Sequence, residues 1–267
     1  MDNPIISKLR IYPIKSLGHI DVKEVEIGVH SLMNDRVFAM IDQEGRYING
    51  KRTPRVNQLK TEYDLANGVV AFSEKTTNHK TTFELRERNA ALDEYLSDFF
   101  NTELKLVKNT QGQFMDIPVE SSITIVSEAS LQYLQKDIES HSLENMRLRF
   151  RSNIEITGVE AFWEEQLYHQ PGIGVRFRIG EVEMLGMSPR ARCNVPPQHP
   201  DTGEMDYQFV KNMIRSRKNH SPTAEQLLQY GKAHYFLCIN VYSPKTEVGK
   251  KIRLNDGLEV IEPVTIR

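Results

Sequence analysis

The chain has 267 residues, 39% of them hydrophobic and 26% charged, with a formal net charge of −2. This is the make-up of an ordinary globule, long enough for one large domain or two modest ones, and near-neutrality removes the electrostatic reason to expect nucleic acid or an anionic membrane surface as partner. Two cysteines build no disulfide scaffold, which points to a reducing, cytoplasmic setting; no signal-like run opens the sequence, and no stretch approaches the roughly 20 apolar residues of a membrane span.

Ile5–Tyr12 is β-rich and stops at Pro13. Lys15-Ser16-Leu17-Gly18 follows as a turn, either a polar hairpin or a lysine and a hydroxyl aimed at an anion. Val22–Val29 reads as one alternating strand. Asn34-Asp35-Arg36 is a polar turn before a buried strand at Val37–Ile41, and β structure resumes at Arg46-Tyr47-Ile48. Asn49–Asn57 is a basic loop with Lys51, Arg52 and Arg55, a solvated face unless it lies beside an anion site. Strands near Leu59–Tyr63, Val69–Phe72 and Thr81–Leu85, with Asn67-Gly68 as a hairpin signal, predict a barrel or strongly bent sheet. Leu92, Tyr95, Leu96 and Phe99 recur at helical intervals within Asn89–Phe100, and Leu104–Val107 is a further strand.

The polar run Asn109–Gln113 is the best seam, giving domains 1–115 and 116–267. Ile123–Val126 reads as a strand leading into a helix that starts near Ser127. Arg147, Arg149 and Arg151 alternate just before a strand at Ile154–Ile156; alternate residues of a strand share a face, so the three form either an anion pocket or a wet edge. Val175–Ile179 and Val182–Met187 pair across Gly180-Glu181. Phe209–Met213 looks helical, Arg215–His220 is basic, and Ala224–Tyr230 is a second short helix. Tyr235–Val241 is the most hydrophobic strand, and Cys238 within it is a core thiol.

The sharpest stretch is Pro189–Asp206. Its prolines forbid a helix interior or central strand over Val195–Pro200, and Asp201-Thr202-Gly203 supplies turn chemistry. Arg190 and Arg192 stand just before Cys193, and cationic surroundings favour the thiolate form of a cysteine, which ligates metals or attacks electrophiles. The ordinary alternative is a surface loop with a stray cysteine. A thiol nucleophile without metal lacks a nearby base, since His199 is six residues on. Zinc would find two ligands, Cys193 and His199, where a structural site wants four.

IYPIKS at Ile11–Ser16, Asp35-Arg36, VSEASL at Val126–Leu131, RFRSNI at Arg149–Ile154 and RCNVPPQHPDTGE at Arg192–Glu204 occur in this order. In order and spacing they resemble MOSC-domain proteins, in the branch with an N-terminal β-barrel domain that includes the mitochondrial amidoxime-reducing component and its bacterial relatives. The resemblance covers nearly the whole chain. It implies a mixed, β-rich α+β fold, an N-terminal β-barrel-like domain packed on a C-terminal MOSC β-barrel with flanking helices. It implies a molybdenum cofactor, Mo-molybdopterin, with the metal on Cys193 as catalytic ligand. By the family pattern Lys15, Ser16 and Arg36 from the first domain, and Arg151, Asn153 and Arg192 from the second, hold the pterin and its phosphate; Ser121 is a looser member of the set. Asp201, Thr202 and Gly203 would shape the loop. The implied activity is reduction of small N-hydroxylated compounds (amidoximes and N-hydroxylated bases) to amines. Electrons would come from a separate donor of ferredoxin, flavoprotein or cytochrome b5 type, because no cysteine-cluster extension is seen. Proton delivery is unassigned, His199 being one candidate. The alternative is a non-catalytic module that carries the cofactor, or sulfur on Cys193.

Overall fold

A computed structural model describes residues 3–74, 79–111, 114, 123–138, 142–220, 227–231 and 234–266. Strands predominate over helices in this β-rich α+β chain. The first half contains β1 (Ile5–Ile11), β2 (Ile20–Val22), β3 (Glu24–Glu26), β4 (Phe38–Asp42), β5 (Leu59–Asp64), β6 (Val69–Glu74), β7 (Lys80–Glu84), α1 (Ala90–Phe100) and β8 (Leu104–Lys108). The second contains β9 (Ile123–Ser127), α2 (Glu128–Asp137), α3 (Leu143–Phe150), β10 (Ile154–Thr157), β11 (Ile173–Ile179), β12 (Val182–Ala191), α4 (Phe209–His220), β13 (Phe236–Tyr242), β14 (Lys251–Arg253) and β15 (Leu258–Thr265). Most lie where periodicity puts them. Val22–Val29 is not one strand: β2 and β3 are separated at Lys23 and pair in different sheets. Arg46–Ile48 contributes a single bridge, Ile41 to Tyr47, instead of a strand. Of the expected helix at 224–230, residues 224–226 lie outside the described residues, and Leu228–Tyr230 form a turn.

The large sheet runs β15-β11-β12-β13-β9-β10-β1-β2, and β9 and β10 are its parallel pair, joined by a crossover through α2 and α3. Its first strands come from the other half of the chain. β1 pairs antiparallel with β10 from Ile5↔Thr157 to Leu9↔Ile154, and β3 pairs with β14. A cut at residue 115 divides the chain but not its sheets. The remaining first-half strands form β4-β8 and β5-β6-β7. Their core takes in Phe38 and Met40 of β4, Val70 and Phe72 of β6, and the apolar stripe Leu92, Leu96, Phe99 and Phe100 of α1. Asn89 caps α1 by accepting from Leu92 N.

Arg147, Arg149 and Arg151 stand on a helix and its cap, not on a strand. Ser142 accepts from Asn145 N to start α3, and Met146 and Phe150 bury at four-residue spacing. At 3.6 residues per turn the three arginines diverge. Arg147 pairs with Glu128 and Glu155, Arg149 turns inward, and Arg151 ends the helix in the left-handed region at φ 53°.

Beside the core between α2, α3 and α4 lie buried charges. Arg217 of α4 is fully buried, donates to Glu165 and lies 4.2 Å over the Phe162 ring. Next to it Glu164 accepts from Ser130 Oγ at 2.9 Å, and Ser130 Oγ accepts in turn from Phe162 N at 2.6 Å. Burial, reinforced by the neighbouring Glu165, pushes the Glu164 carboxyl up to about 7 from an ordinary 4.5. The unfolded chain therefore ionises at this position first, and stability falls as pH rises from about 4.5 to about 7, by at most about 3 kcal/mol. Glu164→Gln is expected to flatten that slope. Urea unfolding of both proteins at several pH values checks this, and an unchanged slope in the variant refutes it.

Candidate cofactor cleft

The loop after β12 is prepared by two irregularities in the β12–β13 ladder. Register shifts at Gly186/Ser188 and at Pro189/Ala191 bend the strands just before the cysteine. The second places an extra residue in β13, where Cys238 holds φ 69°, and tolerates Pro189 in the strand. Arg192 N then donates to Tyr235 O at 3.0 Å, the last rung before the chain leaves the sheet. Beyond Cys193 the chain folds on itself: His199 N donates to Glu204 O at 2.7 Å, and Asp206 N to Pro197 O at 2.9 Å.

Arg149 and Gln198 hold this loop to the rest of the molecule. The buried guanidinium of Arg149 donates to Pro196 O at 2.6 Å and Gln198 O at 3.0 Å, with its carbon 4.9 Å over the Phe209 ring. Gln198 reaches the other half of the chain: its Nε2 donates to Gly50 O at 2.7 Å and its Oε1 accepts from Asn57 Nδ2 at 2.9 Å. Gln58 adds a bond to Thr202 O at 2.9 Å. Gly203 sits at φ 78° where a Cβ would come within 2.7 Å of Pro54 O, so both its backbone and its neighbour demand glycine. The basic loop therefore lies directly against the cysteine loop.

Opposite stands Tyr12, buried at the end of β1. Its backbone N donates to Asp35 Oδ1 at 2.8 Å, and its hydroxyl donates to Ser152 O at 3.1 Å. Two guanidiniums lie over its ring, Arg151 at 4.1 Å and Arg36 at 4.9 Å. Arg36 also donates to the buried carboxylate of Asp35, and to Asn153 Oδ1 at 3.4 Å. Arg151 donates to Leu17 O at 2.8 Å, while its burial works against its charge. Asn153 is buried and braced, its Nδ2 donating to Arg10 O at 3.1 Å. Lys15, only 6% exposed, donates to Phe114 O at 2.8 Å and lies 5.3 Å over the Tyr47 ring. Ser16, Arg36 and Arg151 all have left-handed backbones, at φ 72°, 53° and 53°. Such conformations cost on the order of 1–3 kcal/mol each in residues other than glycine and concentrate at functional sites.

These groups border one cleft of about 1340 Å³. Lys15, Ser16, Arg36, Arg151, Asn153, Arg192 and Cys193 all line it; Ser121 falls outside the described residues. Among the described residues, eight lysines and arginines line the cleft against one carboxylate, Asp201, in a chain whose net charge is −2. Arg192 donates to Phe150 O and stacks 5.0 Å from the Phe150 ring. Its Nε is buried without a partner among the described residues. Cys193 is exposed and Cys238 buried. His199 does not line the cleft; its Nδ1 accepts from Asp201 N at 3.2 Å. The sequence assigns no role to Tyr12, Asp35 or Gln198, and it puts Arg149 in an anion pocket or a wet edge where the structure has it clamping the loop. All four lie inside quoted motifs, but nothing local marks Gln198 as a residue that faces a seam.

Residues 3–116 match the MOSC N-terminal beta barrel domain and residues 102–236 the MOSC domain. The chain belongs to the MOSC-domain family. This MOSC chain is 26% identical to human mitochondrial amidoxime-reducing component 1, over 86% of its own length and 76% of the relative's. It is 22% identical to human molybdenum cofactor sulfurase, over 80% of its length but 29% of that larger protein. The solved YUAD protein from Bacillus subtilis superposes with a TM-score of 0.40 at 10% identity, over 97% of this chain and 95% of that one. Among the described residues no helix is long and apolar enough to cross a membrane.

The clamp on the loop is testable without any ligand. Gln198→Leu leaves Gly50 O and Asn57 Nδ2 without their partner, a loss of about 1–3 kcal/mol for the buried carbonyl and less for the half-buried amide. The expected result is a lower denaturant midpoint together with faster alkylation of Cys193, the accessible one of the two thiols. Alkylation at the wild-type rate would show that the seam does not hold the loop.

Proposed function

We propose that the cleft binds a molybdenum–pterin cofactor and that the protein reduces N-hydroxylated compounds to amines, R–NHOH + 2 e⁻ + 2 H⁺ → R–NH₂ + H₂O. The observation that carries this reading is the pairing of an exposed thiol on a clamped loop with a cation-lined wall built from left-handed residues. The donor set fits the group. Cys193 offers a soft sulfur ligand suited to such a metal. Among the described residues no cluster of three or more histidine, cysteine or acidic ligands occurs, so the metal would bring its remaining ligands with the pterin.

The anionic end of the pterin would meet Lys15, Ser16, Arg36, Arg151 and Arg192. Asn153 holds Arg36 from behind. Bound molybdenum would supply the two-electron chemistry at the N–O bond. The chain's own part is to fix the thiol through Arg149 and Gln198 and to keep the cations in place before the ligand arrives. Electrons would come from a separate redox protein. Similarity to both amidoxime-reducing components and molybdenum cofactor sulfurase supports a cofactor-linked role.

The sulfurase relative keeps a second reading open, a module that handles the cofactor or sulfur on Cys193 without turnover. Protein from a host that makes the cofactor separates the two. The expected result is near-stoichiometric molybdenum and reduction of benzamidoxime by reduced methyl viologen. Cys193→Ala should lose more than the roughly 10–100-fold that removal of an outer-sphere partner costs. Molybdenum without turnover would favour the handling module, and molybdenum retained fully in Cys193→Ala would refute the ligand assignment.

A further inference from the structure

One histidine of the cleft is used neither by the motifs nor by the proposed chemistry. His19 lies one position past the Lys15–Gly18 turn and lines the cleft. Its half-buried ring is 5.9 Å from Tyr12, and its Nε2 is 3.6 Å from Asp21 Oδ1. The charges around it come from several elements: Lys8 and Arg10 of β1, Asp21 of β2 and Arg151 at the end of α3. Tyr12 flanks its ring, and Tyr63 of β5 reaches Gly18 O at 3.5 Å.

Asp21 is already shared. It accepts from Arg10 Nε at 2.7 Å and from Lys8 Nζ at 3.4 Å, while Arg10 also donates to Glu144 at 2.6 Å. Little negative charge is left over for an imidazolium. Burial, then Arg10, hold the His19 imidazole down to about 4, so it is neutral at physiological pH while the cleft is empty. An anion seated beside Arg151 would offset one of the charges that keep the proton off and set a negative charge near the ring, and both favour the imidazolium.

We propose that His19 is a proton-coupled member of the anion site: an anion seated among Lys15, Arg36 and Arg151 is bound together with one proton, taken up from solvent on the His19 imidazole. This rests on reading the cleft as an anion site and adds that its affinity depends on pH. The lysines and arginines around it stay charged across the neutral range and confer no such dependence.

Sulfate is the probe, a tetrahedral dianion that does not itself titrate in this range. Calorimetry in buffers of different ionisation enthalpy, from about pH 5 to about pH 8, counts the protons, and NMR of the wild-type imidazole follows His19 directly. The expected results are proton uptake on binding, an upward move of the His19 titration at saturation, and affinity weakening by up to about tenfold per pH unit as pH rises through that window. His19→Gln should bind sulfate with affinity nearly independent of pH. Sulfate bound with no proton uptake and an unmoved His19 titration would overturn the inference while leaving the anion site standing. No sulfate binding at any pH would overturn both. Should His19→Gln fold poorly, the wild-type NMR titration decides alone.

Discussion

The cleft depends on keeping like charges together in the absence of a ligand, and Tyr12 with Asp35 is what permits it. Arg36 and Arg151 share one aromatic ring, and each arginine's field opposes the other. A guanidinium over a tyrosine face is worth about 0.5–2 kcal/mol, more as water is removed. Asp35 adds a buried negative charge beside Arg36 and is itself fixed by Tyr12 N. Cations held this way need not reorganise when an anion arrives, which is the condition for strong electrostatic binding in a partly dry site. Removing either compensating group would leave a buried charge without its partner, the costly case for ion pairs.

The second constraint is topological. The turn bearing Lys15 and Ser16 follows directly from β1, and β1 is hydrogen-bonded in the sheet of the second half. Arg151 and Asn153 leave α3 toward β10, the strand that β1 pairs with, and Asn153 Nδ2 donates to Arg10 O across that junction. Residues separated by more than a hundred positions are thus set against each other by one strand pair. On the far side Gln198 and Gln58 join the cysteine loop to the basic loop. The cleft is bounded by contacts between the halves on both walls, so its shape is a property of the whole fold.

Much of this was legible because it follows short periods. The stripe of α1, the hairpin of β11 and β12, the core placement of Cys238 and the irregular proline loop all read directly from pattern and turn chemistry. Arg147–Arg151 was misread because alternation of charge outweighed the apolar spacing of Met146 and Phe150, which carries the helix. The left-handed backbones of Ser16, Arg36 and Arg151 had no local signal, since no glycine marks them; only the surrounding contacts force them. Gln198 is illegible for a different reason. Both partners of its side chain lie some 140 positions away, and a glutamine in a loop looks the same whether it faces water or a seam.

The clamp also bears on which of the two proposed roles suits the chain. A module that hands its cargo on must loosen the contacts that enclose it. Here the segment bearing the thiol is tied by a buried arginine to two of its own carbonyls and by glutamines to the opposite half. The bonds of Arg149 to the two carbonyls and of Gln198 to Gly50 O are buried, and releasing one leaves polar groups unsatisfied at about 1–3 kcal/mol apiece. Opening several at once would be slow and unfavourable. A loop fixed in this manner suits a ligand that stays in place through many cycles while small substrates and electrons come and go. That physical argument, more than the percentage identity to any relative, is why retention with turnover is the reading preferred over hand-off.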